Sequence, residues 1–489
     1  MKISIIGAGI AGISVSALLA NQGHKVTVFE KNSTVGGRAR ELKENGYTFD
    51  MGPSWYLMPD VFEQYFALFG KKPSDYYELI KLDPSYKVFL EETEFTVSPD
   101  LEKTYKFFDT LEPNGGEKLK KYLQEAENKY KIATHHFIDR PYQNFTELLD
   151  PQFLRLGNRL SVFENLDKYV SRYFESETAK KILHYTVVFL GGAPKNTPAL
   201  YSLMSYVDLA QGVYYPKGGI ISFVKGLEKL AIEQGVEFRF NSNVSKIIVQ
   251  DGVARGIISN EKEEKFDLVV VNADYQFAET VLLEEKYQSY NYKYWEKAII
   301  APSAFLMYLG LNREPTNLEH HNLMLAHNWE THFDEIFENP KWPTKPSYYV
   351  SRPSKTDKSV VPEGKENIFV LIPIASGLED TPEIRQKYED FVFADLSRHI
   401  GFDISKEIDF KKVYTINDFK HDYNSYKGNA LGLAHTLFQT AIFRPKNKSK
   451  KVSGLYYTGH YTNPGIGVPI ALISAQIVSK LIKKYELSD

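Results

Sequence analysis

Residues Lys2–Glu30 read KISIIGAGIAGISVSALLANQGHKVTVFE, and this stretch decides the fold. Lys2–Ile6 is a short apolar strand that runs into Gly7-Ala8-Gly9-Ile10-Ala11-Gly12. A helical stretch follows to Asn21, then a second strand, Lys25–Phe29, ending on Glu30. A G-x-G-x-x-G run signifies a dinucleotide site only in this order of strand, glycine turn, helix, strand and acid. Gly7 makes the tight turn, Gly9 lets the backbone approach a pyrophosphate, and Gly12 lets the helix pack closely on the strand. The helix N-terminus then faces the phosphates. Glu30 stands where a carboxylate accepts hydrogen bonds from a ribose. Next come Gly36-Gly37-Arg38 and Phe49-Asp50-Met51-Gly52-Pro53-Ser54. A simple NAD site has no use for these two clusters, whereas the extended FAD cofactor does.

Composition sets outer limits. At 489 residues the chain is long enough for two domains, built here from interleaved segments. A formal net charge of -3 gives no reason to expect nucleic acid as a partner. The absence of cysteine removes disulfides, iron–sulfur ligation, thiolate zinc sites and a cysteinyl-linked flavin, and no metal site is expected. It also agrees with a reducing cytoplasm. The 33 tyrosines and 31 phenylalanines are many for this length. They suit a tyrosine-rich core, and equally a long apolar pocket or a membrane-facing patch. The last apolar run, Val468–Ile482, is interrupted by Ser474, Gln476, Ser479 and Lys480 and falls short of the roughly 20 apolar residues that cross a bilayer. Any membrane association is therefore expected to be peripheral.

Between the ends, residues 60–185 read as helix-rich, with helical spacing over Gly116–Ala133. Residues 213–275 return to strands: a helix at Ile220–Gln234, strands at Val236–Asn241, Val244–Val249 and Val253–Ser259, a charged tip at Glu261–Lys265, and a strand Leu268–Val271 ending on Asn272-Ala273-Asp274. Strands are expected at Ala304–Leu311 and Ile368–Pro373, and a long helix near Thr381–Ile400. A third glycine-rich cluster closes the chain. The β-like run Gly454–Tyr457 leads into Thr458-Gly459-His460, then Asn463-Pro464-Gly465-Ile466-Gly467-Val468-Pro469 and a helix Ile470–Lys483. Pro469 suits a first helical turn, where its missing N–H has no partner to lose. A helix that starts behind small residues presents free N–H groups and about half a positive charge. Aimed at an isoalloxazine, that end stabilises negative charge on the reduced ring.

These motifs resemble the FAD-dependent amine oxidase and phytoene desaturase superfamily. The middle of the chain is similar to its bacterial carotenoid desaturase branch, through Leu190-Gly191-Gly192-Ala193-Pro194 with Tyr201, Gly212–Gly219, Asn272-Ala273-Asp274, Pro362-Glu363-Gly364, Gly428–Gly432 and Arg444-Pro445. The resemblance runs in order over nearly the whole chain. It implies an α/β fold in which a Rossmann-type FAD domain is assembled from discontinuous segments, 1–75, 213–290 and 411–489. Residues 76–212 and 291–410 then form an α+β domain for substrate and membrane association. By the same resemblance FAD is lined by Gly7, Gly9, Gly12, Glu30 and Lys31, by Gly37, Arg38, Gly52, Pro53 and Ser54, by Val244, and by Gly459, Gly465, Ile466, Gly467, Val468 and Pro469.

Two departures bear on the substrate. Many phytoene desaturases have Thr-His-Pro-Gly where this chain has Thr462-Asn463-Pro464-Gly465, and Thr-Pro-x-Asp-Phe where it has Thr415-Ile416-Asn417-Asp418-Phe419. The chain looks closest to the 1-hydroxycarotenoid 3,4-desaturases. The expected activity is FAD-dependent desaturation of an acyclic carotenoid; the alternatives are a phytoene or dehydrosqualene desaturase and a non-redox FAD carotenoid isomerase. With a single G-x-G-x-x-G unit there is no second nucleotide domain, so electrons enter from the organic substrate and leave to oxygen or a membrane quinone. The expected location is the cytoplasmic face of the inner membrane. No protein acid or base is identified. His135-His136 and His320-His321 read as surface pairs, His460 lies beside the expected flavin, and Arg444 is expected to meet a core carboxylate or the cofactor. Lys446, Lys448, Lys450 and Lys451 read as a solvated loop, with contact to anionic membrane headgroups as the alternative. Phe145–Leu156 and Ile182–Tyr201 are the expected tunnel or membrane entry.

Overall fold

Alternation along five short strands organises one of the two larger sheets of the molecule. The computed structural model describes residues 1–90, 93–143, 160–161, 164–190, 192–325 and 329–487. Its five-stranded sheet has the order Leu455–Tyr457, Leu268–Val271, Lys2–Ile6, Lys25–Phe29 and Glu237–Arg239, parallel throughout. Ile3, Ile5, Val26, Val28, Leu268 and Val270 face one side and join a core with the helices Ile10–Asn21, Ile220–Glu233 and Val468–Glu486. Ile6, Phe29, Val269 and Val271 face the other side, where Val244, Ile247 and Ile257 of an antiparallel meander cover them. A parallel sheet buried on both faces is the setting in which near-continuous apolar strands occur.

The second sheet has seven strands in the order Ile408–Tyr414, Ser303–Leu311, Glu366–Ile374, Tyr348–Ser351, His321–Met324, Tyr86–Phe89 and Glu94–Val97. All neighbours are antiparallel except Tyr86–Phe89 with His321–Met324. A hairpin, Glu41–Glu44 with Tyr47–Asp50, bridges the two halves. Its Asp50 carboxylate accepts from the Ile220 and Ile221 N–H groups at 2.8 and 3.2 Å, capping that helix, and burial raises the carboxyl to about 7.

Several sequence expectations change. The helix-rich stretch also contributes the strands Tyr86–Phe89 and Glu94–Val97, and the charged tip is a strand, Lys262–Lys265, paired with Val253–Ser259. The last helix starts at Val468 and runs to Glu486. His320 and His321 are buried. His320 Nδ1 pairs with Thr356 Oγ1 at 2.7 Å, while the His321 ring stacks on Trp55 at 4.4 Å. The lysine run is tied down: Lys446 Nζ donates to the Tyr142 and Ile442 carbonyls, and Lys448 and Lys450 sit over the Tyr485 and Tyr290 rings.

Candidate functional site

The carboxyl ends of the parallel strands open into a cavity of about 670 Å³ that continues to the second sheet. Strand ends are where open α/β sheets place ligands. Gly7 and Gly9 line the cavity directly. Gly12 stands one layer behind, because a Cβ there would overlap the Gly7 carbonyl oxygen. Asn272, on the neighbouring strand end, holds this turn: with its amide oxygen towards the turn it accepts from the Gly9 and Gly12 N–H groups, both at 3.2 Å. Glu30 is buried at the next strand end. Its two carboxylate oxygens accept from the Ala8 N–H at 2.8 Å and the Asn32 N–H at 2.9 Å. Each oxygen keeps a second lone pair for a hydroxyl donor. Lys31 lines the cavity too, with its ammonium directed to the His421 carbonyl at 2.6 Å.

The turn Gly36-Gly37-Arg38 closes over the first. Gly36 has φ 110° and Gly37 φ 55°, and a Cβ on Gly37 would lie 3.3 Å from the Gly9 Cα. The lack of side chains keeps this slot open. Arg38 reaches across it. Its Nη1 donates to His460 Nε2 at 3.1 Å and its Nη2 to Ser425 Oγ at 3.1 Å and the Asn429 carbonyl at 3.2 Å; the buried Nε is left with no partner. Because an arginine only donates, His460 Nε2 is an acceptor and the ring is neutral. Burial and the Arg38 and Arg444 charges hold its pKa well below the usual histidine range. Gly52, Pro53, Ser54 and Val244 complete this end of the wall.

The C-terminal cluster meets it from the opposite end of the chain. Gly459, Ile466, Gly467, Val468 and Pro469 all line the cavity, and Gly467 precedes the first turn of the helix Val468–Glu486. Gly465 does not line it; it makes room for His435, whose ring would collide with a Cβ there. His435 Nε2 accepts from the Ile466 N–H at 3.1 Å, so Nδ1 carries the proton and donates to the Tyr201 hydroxyl at 2.6 Å. Arg444 meets neither a carboxylate nor the cavity wall. Its guanidinium donates to four carbonyls, those of Thr462, Gln439, Leu433 and His460, and burial lowers its pKa to about 10.

The far part of the cavity is apolar and aromatic. Leu57, Met58, Leu203, Leu323 and Leu325 line it with Trp55, Tyr185 and Tyr349. Behind this wall Asp208, on a π-helical turn Tyr206–Gln211, accepts from the Tyr86 and Tyr185 hydroxyls at 2.8 and 2.7 Å, and burial raises it to about 7. Of the expected entry segments, Tyr185, Gly192, Leu200 and Tyr201 line the cavity, whereas Phe145–Leu156 lies outside the described residues. Tyr201, His435 and Asp208 belong to no local motif that marks them as a group. Asn272 sits in the Asn272-Ala273-Asp274 motif, and Tyr201 accompanies the Leu190–Pro194 motif.

The lining fits FAD: a glycine slot without side chains, a buried acid at the second strand end, an arginine Nε with no partner and a helix N-terminus surround one long space. Comparison with known proteins agrees. The family model for flavin containing amine oxidoreductase matches residues 10–483. The chain belongs to this family. It is an FAD-dependent oxidoreductase. Among relatives, a carotenoid 3,4-desaturase from Haloarcula japonica is 45% identical over 480 residues, covering 97% of this chain and 96% of that protein. The 4,4'-diapophytoene desaturase (4,4'-diaponeurosporene-forming) of Staphylococcus aureus is 34% identical, with 99% of each chain covered. In fold, the chain is similar to putrescine oxidase, with TM-score 0.62 and 12% identity over 99% of each chain.

Proposed function

We propose that this chain is a carotenoid desaturase that introduces the 3,4 double bond into an acyclic 1-hydroxycarotenoid. The observation that carries the reading is one continuous cavity, glycine-lined at one end and walled by apolar and aromatic side chains at the other, in a chain 45% identical to a carotenoid 3,4-desaturase. We assign FAD to the glycine-lined end, built from residues 1–75, 213–290 and 411–489, and the polyene to the remainder. When bound, FAD would supply the two-electron acceptor for removal of two hydrogens from adjacent carbons of the substrate, which leaves a C=C bond.

The chain's own residues hold and align. Arg38 and the glycine slot fix the cofactor, and the leucine-rich wall fixes the polyene against it while excluding water. Alignment of this kind supplies about 7–11 kcal/mol of a barrier. The ring nitrogens of His332 and His435 are already hydrogen-bonded, and His460 Nε2 is taken by Arg38. None of them is assigned as a base. We assign oxygen or a membrane quinone as the final electron acceptor. Holoenzyme supplied with acyclic carotenoids should give products lighter by two hydrogens per step. Unchanged mass would instead mean isomerisation, and turnover of diapophytoene alone would favour the activity named for the Staphylococcus relative.

The polyene's entrance is assigned to the turns around Thr440 and Ala441, which line the cavity. On either side Phe438 and Phe443 are 75% and 44% exposed, with ring centroids 6.0 Å apart, and Ile299 beside them is 47% exposed. No helix among the described residues is long and apolar enough to cross a membrane. Exposed aromatic rings of this kind suit peripheral insertion at the headgroup level, here on the cytoplasmic face of the inner membrane. The double replacement Phe438→Glu, Phe443→Glu should lower recovery with floated liposomes about tenfold or more. Full recovery with flavin retained would refute this entrance.

A further inference from the structure

Desaturation takes a proton from one carbon of the substrate, and no histidine on the cavity wall is assigned to receive it. Two hydrogen-bonded tyrosines also stand in that wall. Tyr185 is 2% exposed and its hydroxyl is turned to Asp208. Tyr349 differs. On the strand Tyr348–Ser351, in the interior of the seven-stranded sheet, it is the one residue that is not buried, and it lines the cavity. Its hydroxyl lies 2.6 Å from Nδ1 of His321, a buried ring that stacks on Trp55 with the planes 9° apart. Nε2 of that ring is buried and meets no partner. Burial and the neighbouring His320 hold the His321 pKa well below the usual histidine range, so the ring is neutral and one of its nitrogens accepts. Burial pushes the Tyr349 hydroxyl up, against the pull of Ser351, Ser54 and Trp55 beside it, so the phenol keeps its proton. Trp55 can only donate to that oxygen, which leaves the phenol's own proton directed to His321 Nδ1. Ser54 belongs to the cofactor end of the wall and Trp55 to the apolar end, so the hydroxyl stands where the two ends meet.

We propose that Tyr349 is the catalytic residue that takes the substrate proton, and that His321 behind it receives the proton the phenol gives up. The inference rests on the polyene reading of the cavity. A C–H bond breaks and its electron pair becomes the second bond of the new C=C. The proton lands on Tyr349 Oη as the phenol's own proton moves to His321 Nδ1. The other hydrogen leaves the adjacent carbon with its two electrons to FAD, the oxidant of this enzyme. As it leaves, the first carbon becomes strongly acidic, so a weak base suffices. The phenol is neutral before and after. The positive charge rests on an imidazolium stacked on the Trp55 ring at 4.4 Å, within reach of a cation–π contact. Burial disfavours that charge, so the proton returns through Tyr349 once product has left and water enters the cavity.

The test is the solvent isotope dependence of a single turnover. Holoenzyme is mixed anaerobically with 1-hydroxylycopene in detergent, in ordinary and in heavy water, and the rise of the longer polyene's absorption is timed. Carbon-bound hydrogens do not exchange with solvent, whereas the Tyr349 O–H does, so the wild type should react more slowly in heavy water. Tyr349→Phe should slow the rise on the order of 100-fold and abolish the solvent effect. His321→Gln leaves an acceptor for the hydroxyl but cannot hold a proton, and should do the same with flavin content unchanged. Equal wild-type rates in the two solvents would overturn the proposal. So would variants that are slowed but keep the solvent effect, the mark of a merely structural role. Loss of the effect in Tyr185→Phe instead would move the acceptor to Asp208 and overturn it too. Where one variant yields no flavoprotein, the wild type and the other variant decide. Holoenzyme that desaturates no acyclic carotenoid would sink the proposed function, an outcome distinct from desaturation at equal rates in both solvents.

Discussion

Gly12→Val is expected to give a chain that elutes without flavin and turns over no substrate. A Cβ at this position would overlap the Gly7 carbonyl oxygen and press on the Asn272 amide. The first of these is backbone, so no rotamer change relieves it. The helix Ile10–Asn21 must therefore move away from the strand end. That movement breaks the hydrogen bonds from Gly9 and Gly12 to Asn272 and the Ala8 hydrogen bond to Glu30. Overpacking of a core by a single side chain costs about 1–3 kcal/mol, more where the backbone has to shift. At about 3 kcal/mol, FAD affinity falls on the order of 100-fold. Flavin absorption after desalting, followed by titration of the variant with FAD, measures this. Gly23→Ala, near the end of the same helix, is the control: its φ is +87° but nothing lies within 4 Å of the added carbon. It should keep its flavin. A Gly12→Val protein with stoichiometric FAD would refute the role given to the turn.

What was legible in the sequence follows from how local the signals are. The strand–glycine turn–helix unit is contiguous and its period switches within thirty residues, so Lys2–Ile6, Ile10–Asn21 and Lys25–Phe29 match their sequence reading. The tail from Gly459 to Pro469 carries the same kind of signal. Tyr86–Phe89 does not. It is four residues long, buried on both faces without alternation, and its register partners on one edge, Asn322, Leu323 and Met324, lie more than two hundred residues away, although Glu94–Val97 pairs with it locally on the other. The rings of His320 and His321 do not point to opposite sides: His320 precedes the strand that starts at His321, and the two ring centroids lie 4.5 Å apart. Both rings are covered, His320 by Tyr215 and His321 by Trp55, so neither meets solvent. The Tyr201–His435 pair spans 234 positions and rests on a loop packed by Gly465, a contact that no local pattern encodes.

Arg444→Met should lower stability and flavin retention together. Arg444 is a buried cation whose hydrogen bonds all go to main-chain carbonyls: Nε to Thr462, Nη1 to Gln439, and Nη2 to Leu433 and His460. It thus ties the segment that carries His435 and Thr440 to the one that carries His460 and leads into Asn463–Pro469. Methionine fills much of the space but donates nothing, which leaves four carbonyls short of a partner at about 1–3 kcal/mol each when buried. Removing the charge offsets part of this, because a buried guanidinium carries its own desolvation penalty. A net loss of about 3–5 kcal/mol follows. With an unfolding entropy of about 2.1 cal/mol/K per residue, a chain of 489 residues should lose about 3–5 °C of Tm. Arg444→Lys keeps the charge but not the planar fork that reaches several carbonyls at once, so its loss should be intermediate. Calorimetry of the holoenzymes separates the three proteins. The expected order is wild type, lysine, methionine, and flavin content should fall in the same order, because the clamp holds the loop on which Ile466 and Gly467 sit. A methionine variant with the Tm of the wild type would mean that those carbonyls find water, and that the loops around the cavity hold their places without the clamp.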